Sequence, residues 1–292
     1  MSIRVRKAVL PVAGMGTRVL PGAKTTPKNL LNVVDRPILS YVVEEARAAG
    51  IEHIVFIVGR GQGAIEDYFD ANPEIEGALE AKGKTDILAD VRRDLMQPGQ
   101  MSFIRQMAPL GLGHAVWCAR EVIGDEPFAV MLPDMLMAAE PGGLGQAVAA
   151  YDKVGGNIIV VEPAPQGETD KYGIVALERQ NGRLNRMTGM VEKPPLGTEP
   201  SNLFISGRYI LQPEIFEILA TQTRGAGGEI QLTDGMASLM TRQDFHALEY
   251  DGVTYDCGDK IGLLRANVAF ALARPDLADE ARAAIEALLQ GR

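Results

Sequence analysis

Largely apolar runs recur along the first half of the chain, and segments of helical periodicity separate them. PILSYVVEEARAAG (37–50) places apolar residues at intervals of three and four and ends on a glycine, which predicts a helix. Apolar strands separated by such helices are typical of a parallel sheet that is covered on both faces. The predicted strands are KAVLPVA (7–13), HIVFIVG (53–59), SFIRQM (102–107), FAVMLPD (128–134) and NIIVVEP (157–163).

The second half of the chain has a different pattern. YGIVALERQNGRLNRM (172–187) alternates polar and apolar positions around Asn181-Gly182, which predicts a β-hairpin. NLFISGRYIL (202–211) predicts another strand, and FHALEYDGVTYDCG (245–258) predicts two short ones. From residue 259 onward the sequence is rich in Ala, Leu and Glu, and it predicts helix.

These elements predict one domain over residues 1–292, with a core over about 1–256 and a tail over about 259–292. The fold class is α/β: a Rossmann-like, mixed and mostly parallel central sheet with helices on both faces, an added β-hairpin region and a helical C-terminal tail. The apolar positions of the tail fit oligomerisation and packing on its own core equally well. They are Ile261, Leu264, Val268, Leu272 and Leu277.

Charge and cysteine content narrow the classes of function. The chain has 38 acidic and 29 basic residues, a formal charge of −9, so its overall field disfavours nucleic acid. No apolar stretch approaches the ~20 residues that span a bilayer, so no membrane partner is expected. Two cysteines, Cys118 and Cys257, and a start without a signal-peptide pattern favour a cytoplasmic protein.

The segment KAVLPVAGMGTR (7–18) resembles a ligand-binding glycine loop. A dinucleotide-binding turn, G-x-G-x-x-G, would need glycine at position 19, where Val19 stands. The glycines still let backbone N–H groups approach an anion, and Thr17 and Arg18 add a hydroxyl and a forked cation. Because Lys24 and Lys28 follow, the segment predicts a phosphate-binding loop, with an ordinary strand–turn–helix connection as the alternative.

Several motifs in order resemble one enzyme family. GMGTRVLPGAKTTPKNLLNVVDRPILSY (14–41) is similar to the signature of sugar-phosphate nucleotidyltransferases. GLGHAV (111–116), EKP (192–194) and GEIQLTD (228–234) are most similar to its bacterial members that use UTP and glucose 1-phosphate. After the signature, four segments follow in the family's order and extend the similarity over nearly the whole chain, and two of them include the GLGHAV and EKP stretches. The four are RQMAPLGLGHAV (105–116), VMLPDMLM (130–137), VEKP (191–194) and YDCGDK (255–260).

The resemblance implies a reaction of UTP with α-D-glucose 1-phosphate that gives UDP-glucose and pyrophosphate, with Mg²⁺ as cofactor. It also implies a homo-oligomer, either a dimer or a tetramer. The attacking phosphate is already anionic, so catalysis would consist of positioning and charge neutralisation rather than of an enzyme nucleophile.

The resemblance also implies roles for the residues of the glycine loop. The backbone at Ala13, Gly14 and Gly16 would line the nucleotide. Thr17 and Arg18 would contact the β- and γ-phosphates, which form the leaving group.

Further along the chain, Lys28 would contact the phosphates near the reacting α-phosphorus. Gln106 and Gly111 would recognise the base, since an amide matches both donor and acceptor edges of uracil. The clearest departure from the family pattern is Asn29, which follows Lys28 where the family usually has glutamate. Gly22 and Thr25-Thr26 also differ from the commonest version.

Five more residues would serve the metal and the sugar phosphate. The resemblance implies that Asp134 and Asp256 hold Mg²⁺, for which carboxylates are suitable hard ligands. Glu192 would accept from glucose hydroxyls, Lys193 would pair with the incoming phosphate, and Gly173 would let the sugar approach the backbone.

A role for Lys171 as a second cation stays open, and three other functions stay open as alternatives. The chain could transfer a thymidylyl or adenylyl group, because uracil and thymine differ by one methyl. It could be a non-catalytic relative that senses nucleotides, although Thr17, Arg18 and Lys193 are intact. An NAD-dependent enzyme is disfavoured by Val19.

Overall fold

A computed structural model of the chain describes residues 3–291, apart from the side chain of Ala226. Its strands are β1 (Lys7–Pro11), β2 (Asn32–Val33), β3 (Arg36–Pro37), β4 (His53–Val58), β5 (Met101–Arg105), β6 (Phe128–Met131), β7 (Met135–Ala138), β8 (Asn157–Pro163), β9 (Gly173–Leu177), β10 (Leu184–Glu192), β11 (Leu203–Leu211), β12 (Phe245–Glu249) and β13 (Val253–Asp256). Its α-helices are α1 (Ile38–Ala48), α2 (Gly63–Phe69), α3 (Pro73–Ala81), α4 (Thr85–Arg92), α5 (Leu112–Cys118), α6 (Arg120–Ile123), α7 (Gly143–Val154), α8 (Ile215–Thr221), α9 (Leu232–Leu239), α10 (Lys260–Ala273) and α11 (Ala278–Gln290).

Nine of the strands form one sheet in the order β5-β4-β1-β6-β11-β8-β12-β10-β9. Parallel pairing joins β5, β4, β1 and β6, and it also joins β8 to β12. β11 lies antiparallel between β6 and β8, and β10 lies antiparallel between β12 and β9. Seven strands therefore share one direction and two oppose it, so the predicted mixed, mostly parallel sheet is confirmed.

The sheet separates two hydrophobic layers, because successive side chains of a strand point to opposite faces. Ala8 and Leu10 of β1 pack in the layer that contains the apolar sides of α1 and α7. Val9 packs in the other layer, with α5, α8 and α9. The prediction of helices on both faces is therefore confirmed.

Two antiparallel pairings position the later part of the chain. β9 and β10 form the predicted hairpin, and its register places Gly173 opposite Glu192. β7 and β13 form a separate two-stranded ribbon in which Asp256 pairs with Met135. Since Asp134 directly precedes β7, this ribbon brings residues 134 and 256 together.

The predicted strand over residues 128–134 is too long. β6 ends at Met131, and the next residues form a turn in which Met135 N–H donates to Leu132 O at 3.4 Å. Pro133 has no N–H to donate to a neighbouring strand, so the ladder cannot continue through it. Helices α3, α4 and α7 were not predicted from the sequence pattern.

The predicted helical tail is present as α10 and α11, and α10 has two different sides. Ala266 is buried, and Leu263 and Phe270 pack against the same hydrophobic layer as α1. Ile261 and Leu264 are 66% and 58% exposed. The tail thus packs on its own core through one side, and its role in oligomerisation stays a prediction. Across residues 3–291, no helix has the length and apolar character needed to cross a membrane.

Candidate active site

The glycine loop follows β1 at the edge of the sheet where the parallel strands end. Gly16 has φ 64°, and an ideal Cβ there would lie 2.8 Å from Lys28 Cβ. Gly16 therefore allows both the left-handed turn and the close approach of Lys28. An ideal Cβ on Gly14 would lie at ordinary contact distance, 3.5 Å from Lys28 Cε, so this glycine is not required by the loop itself.

A cavity of about 330 Å³ opens beside this loop. Its walls are Ala13–Met15, residues 23–28, the turn at 59–62 after β4, and Gln106, Met107 and Pro109 after β5. Ala13, Gly14, Lys28 and Gln106 thus lie where the sequence predicted a nucleotide, whereas Gly16 and Thr17 are outside this wall. The wall also includes Lys24 and Arg60, of which Arg60 was not predicted.

Gln106 has a fixed amide orientation at one end of the cavity. Its Nε2 donates to Gly111 O at 3.2 Å and contacts His114 Nδ1 at 3.0 Å. A carbonyl oxygen can only accept, so the amide group facing Gly111 must be the NH₂. The opposite atom, Oε1, is then left as an acceptor, and no described residue donates to it. The structure thus offers an acceptor alone, not the paired donor and acceptor that the sequence argument assumed.

The segment that precedes α9 holds Gly111 and the start of α5, which carries His114, in place. Gly111 has φ 105°, and a Cβ there would lie 2.8 Å from Ile230 O. Gly113 N–H donates to Ile230 O at 2.8 Å, which fastens the start of α5 to this segment. Burial lowers the pKa of His114, so at neutral pH the ring is uncharged and Nδ1 can accept from Gln106.

Asp134 and Asp256 converge at the base of a second cavity, of about 550 Å³. Cys257 N–H donates to Asp134 O at 2.8 Å, which ties the two loops together beyond the β7–β13 ribbon. An ideal Cβ on Gly258 would lie 2.8 Å from Asp256 Oδ1 and 2.9 Å from Asp134 Oδ2. Glycine at position 258 therefore leaves the space in which the two carboxylates meet.

Two cations pair with these carboxylates. Lys28 Nζ lies 2.5 Å from Asp134 Oδ2, and Arg18 lies 3.3 Å from Asp256 Oδ2 and 4.0 Å from Asp134 Oδ2. Burial alone would raise the pKa of Asp134, but Lys28 and then Arg18 hold that pKa below its ordinary value. Burial and the neighbouring charge of Asp134 raise the pKa of Asp256. Lys28, which lines the first cavity, thus pairs with a carboxylate that lines the second.

The donor set at this point fits a divalent cation. Two carboxylates with space between them match the way Mg²⁺ is held, by one or two carboxylates together with phosphate oxygens and water. Across residues 3–291, no cluster of three or more His, Cys, Asp and Glu side chains forms a fuller metal site. A site of this kind would need ligands from the substrate.

The residues expected to bind the sugar phosphate line the second cavity or lie next to it. Lys193 and Lys171 line it, and Lys171 forms an ion pair with Glu168 at 3.1 Å. Glu192 lies behind Lys193, at 3.5 Å from its Nζ, and accepts from Thr233 Oγ at 2.7 Å.

Lys193 has an uncommon backbone conformation, and Gly173 lies where a side chain would crowd Glu192. Lys193 has φ 48°, an uncommon conformation for a residue other than glycine, and its N–H donates to Tyr172 O at 3.0 Å. A Cβ on Gly173 would lie 3.2 Å from Glu192 Oε2, so the glycine leaves room for that carboxylate.

Asn29, the departure from the family pattern, points away from both cavities. Its side chain is fully buried, and its Nδ2 donates to Val12 O at 3.3 Å. Gln62 Nε2 donates to the same carbonyl at 2.9 Å. Asn29 thus links the lysine segment to the strand before the glycine loop, a bond that glutamate could not donate when ionised.

Eight of the thirteen predicted residues line the two cavities: Ala13, Gly14, Lys28 and Gln106 in the first, and Arg18, Asp134, Lys193 and Asp256 in the second. The other five are not in either wall: Gly16, Thr17, Gly111, Gly173 and Glu192. The structure also adds residues that the predictions did not single out. His114, Thr233 and Gly258 each contact a predicted residue directly, although all three lie inside quoted motifs. Arg208 lies outside them, and the available signal was a single cation in the otherwise apolar strand NLFISGRYIL.

Comparison with known proteins identifies the family of the chain. The family model for nucleotidyl transferases matches residues 7–271. UTP–glucose-1-phosphate uridylyltransferase of Bacillus subtilis (strain 168) is 47% identical over 286 residues, covering 98% of each chain. The solved structure of a UTP-bound UGPase from Acinetobacter baumannii is 42% identical, with a TM-score of 0.89 over 96% of this chain and 98% of that one. A UDP-glucose pyrophosphorylase complexed with UDP-glucose is 37% identical, with a TM-score of 0.82 over 92% of this chain and 100% of that one. Motifs, fold and full-length similarity agree, and the chain belongs to the nucleotidyl transferase family.

Proposed function

We propose that this chain transfers the uridylyl group of UTP to α-D-glucose 1-phosphate and releases UDP-glucose and pyrophosphate. The observation that carries the proposal is the convergence of Arg18 and Lys28 on Asp134 and Asp256, where two cavities meet. One cavity has the acceptor Oε1 of Gln106 at one end, and the wall of the other includes the cations Arg18, Lys171 and Lys193. The names of the full-length relatives support this choice of nucleotide and sugar.

The reaction is an in-line displacement at the α-phosphorus. A phosphate oxygen of glucose 1-phosphate forms the new bond to this phosphorus, and the bond to the oxygen bridging the α- and β-phosphates breaks. The electron pair of that bond leaves with pyrophosphate. Two unit charges 4 Å apart repel by about 4 kcal/mol at an effective dielectric constant near 20, so cations at the site directly lower the barrier.

We assign the base and the α-phosphate of UTP to the first cavity, beside the loop that Ala13, Gly14 and Gly16 supply. Thr17 and Arg18, which lie outside that wall, would contact the β- and γ-phosphates on the side of the second cavity, which Arg18 lines. Arg18 would thereby stabilise the charge that builds on the leaving pyrophosphate.

Lys28 would act on the α-phosphate, since its ammonium already lies between the two cavities. Gln106 would accept from N3–H of uracil through Oε1, and Gly111 would face the base plane. Cytosine presents an acceptor at N3, so this orientation of Gln106 would select UTP over CTP.

Glucose 1-phosphate would occupy the second cavity. Lys193 would pair with its phosphate and reduce the repulsion between the two anionic substrates, and Lys171 is close enough to assist. Glu192, held by Thr233, would accept from glucose hydroxyls, and Gly173 would leave space for the ring.

Asp134 and Asp256 would hold the divalent cation, for which we propose Mg²⁺. When bound there, the cation would neutralise charge on the phosphates of the reacting centre. The chain's own contribution is to keep the two carboxylates facing each other, which the space at Gly258 allows, and to keep Asp134 ionised through its pairing with Lys28 and Arg18.

A panel of nucleotides and sugar phosphates tests the proposal. Pyrophosphate release would be measured with UTP, TTP, CTP, ATP and GTP, each with glucose 1-phosphate, galactose 1-phosphate and mannose 1-phosphate. The highest kcat/KM is expected with UTP and glucose 1-phosphate. A higher value with TTP would mean a thymidylyltransferase, and nucleotide binding without turnover would mean a nucleotide-sensing relative.

The remaining predictions concern the protein as a whole. We propose a single nucleotidyltransferase domain, since Leu263, Ala266 and Phe270 of the tail share a hydrophobic layer with the sheet. A cytoplasmic location and a dimeric or tetrameric assembly also stay predictions. Size-exclusion chromatography with light scattering would determine the number of subunits.

A further inference from the structure

A fully buried arginine lies beneath the turn that carries Asp134. Arg208, on β11, has a relative exposure of 0%. Its Nη1 donates to Leu132 O at 3.0 Å and to Gly207 O at 3.2 Å, and its Nη2 donates to Met135 O at 2.8 Å. Nε and Nη2 also donate to Glu45, with the closest contact at 2.7 Å. All five N–H groups of the guanidinium are thus used.

Two of the carbonyls that Arg208 binds belong to the residues at the ends of the Asp134 turn. Leu132 and Met135 are the first and last residues of that turn, so the planar fork spans it from the side of the core. A separate contact holds the middle of the turn, because Cys257 N–H donates to Asp134 O at 2.8 Å. The turn is therefore held at both ends by Arg208 and in the middle by Cys257.

Glu45 fixes the orientation of the fork. Its side chain, on α1, is 10% exposed and receives both the guanidinium and Leu144 N–H, the latter at 2.8 Å. Burying an ion pair carries a large desolvation cost, and well-packed apolar residues often give equal or greater stability. Net stability alone is therefore a weak reason for this pair, whereas the geometry it imposes on the turn is specific.

We propose that Arg208, oriented by Glu45, is a positioning residue for metal binding: it sets the place of the Asp134 carboxylate relative to Asp256. This inference rests on the proposed function, in which Asp134 is a metal ligand. A lysine at position 208 would keep the charge, but a single ammonium group lacks the planar fork that binds Glu45 and both ends of the turn together.

The variant Arg208→Lys tests this role through metal binding rather than through turnover alone. The dissociation constant for binding of Mn²⁺–UTP to the protein would be measured by EPR in the absence of sugar phosphate. UTP binding in EDTA would be measured by calorimetry. If the carboxylate ligands are displaced, the dissociation constant of the protein for Mn²⁺–UTP should rise about 10- to 100-fold, and that for metal-free UTP should change little. Unchanged Mn²⁺–UTP affinity would overturn the inference.

A matched variant separates positioning from general loss of stability. Asn157 is also fully buried and hydrogen-bonded, but it lies at the start of the interior strand β8, at the opposite end of the strands from the Asp134 turn. Asn157→Ala is expected to lower the melting temperature without changing the ratio of the two affinities. Glu45→Gln keeps the shape of the pair and loses its charge, and it is expected to shift the Mn²⁺–UTP affinity in the same direction. If Arg208→Lys does not fold, Glu45→Gln decides the question.

Asp134→Asn distinguishes failure of this inference from failure of the proposed function. If that variant keeps wild-type Mn²⁺–UTP affinity, the metal assignment itself is wrong. If Asp134→Asn loses this affinity while Arg208→Lys and Glu45→Gln keep it, only the role of Arg208 is wrong.

Discussion

Lys28 Nζ and Asp134 Oδ2 are 2.5 Å apart, and this pair joins the cavity assigned to the nucleotide with the cavity assigned to the sugar phosphate. Lys28→Met would remove the cation nearest the reacting phosphorus and leave the carboxylate in place. We expect kcat to fall by about 10²- to 10³-fold, the usual effect of losing one preorganised donor to developing charge. Steady-state kinetics of pyrophosphate release would measure it. A variant with wild-type kcat would show that Lys28 does not act on the reacting phosphate.

The same substitution should change the pH dependence of stability. In the wild type, Lys28 and Arg18 hold the pKa of Asp134 below its unfolded value, so the ionised carboxylate stabilises the fold at neutral pH. This stabilisation is lost as pH falls through the folded pKa. Without Lys28, burial raises the pKa of Asp134, and the ionised form becomes a cost. Denaturant unfolding should therefore show a large gap between wild type and Lys28→Met at pH 7 that narrows towards pH 3.

Gly258→Ala should inactivate the protein without unfolding it. The added methyl would lie within 3 Å of Arg18 Nη2, Asp134 Oδ2 and Asp256 Oδ1, the groups whose convergence defines the site. We expect kcat/KM to fall by about 10²-fold, since a displacement of ~1 Å can have this effect. Gly77→Ala, which has nothing within 4 Å of the new methyl, is the control and should keep full activity. Equal activity in both variants would contradict the assignment of Asp134 and Asp256.

Thr233 should matter for the sugar and not for the nucleotide. Its hydroxyl donates to Glu192 at 2.7 Å, and Thr233→Val removes that bond at nearly constant shape. We expect KM for glucose 1-phosphate to rise about tenfold, since hydrogen bonds to charged groups contribute about 1.5–3 kcal/mol. KM for UTP should stay the same, and Thr233→Ser should behave as wild type. A rise in KM for UTP instead would mean that Glu192 contacts UTP and not glucose 1-phosphate.

His114 should support base selection. His114→Leu removes the acceptor for Gln106 Nε2, whereas His114→Gln can retain one. One neutral hydrogen bond of ~1 kcal/mol predicts an increase of about fivefold in KM for UTP and weaker discrimination against CTP. In the wild type, KM for UTP should also rise at acid pH, where protonation turns Nδ1 into a donor. This pH effect should be absent in His114→Leu, and an unchanged UTP/CTP ratio would contradict the role.

Much of the fold was predictable because local pattern and tertiary role agree. The buried strands β1, β4 and β8 are largely apolar, and the Asn181-Gly182 turn marks the hairpin. α3 and α4 were not predicted, because they lie largely at the surface and pack mainly on each other. The end of β6 was predicted three residues too late, because the apolar run continues to Leu132 and masks the break that Pro133 makes in the ladder.

The candidate site was predictable where a motif carries it and not where distant residues complete it. Asp134 and Asp256 are 122 positions apart, and no spacing rule places them together; the β7–β13 ribbon does so. Glu192 was expected from its motif, but its orientation depends on Thr233 from a helix on one face of the sheet. Periodicity describes each element by itself, whereas these contacts arise from the order of strands in the sheet.

The two cavities draw on different parts of the chain. Residues 13–109 supply the walls of the first, and residues 132–256 supply those of the second, with Arg18 as the one contribution from the N-terminal part. The walls of the two cavities are thus encoded in separate stretches that meet at the carboxylates and their cations. Base recognition would also involve Gly111, which lies against Ile230, three residues before the Thr233 that holds Glu192. Redesign of nucleotide preference should therefore be confined to residues 13–109, which leaves the segment that supports sugar binding unchanged.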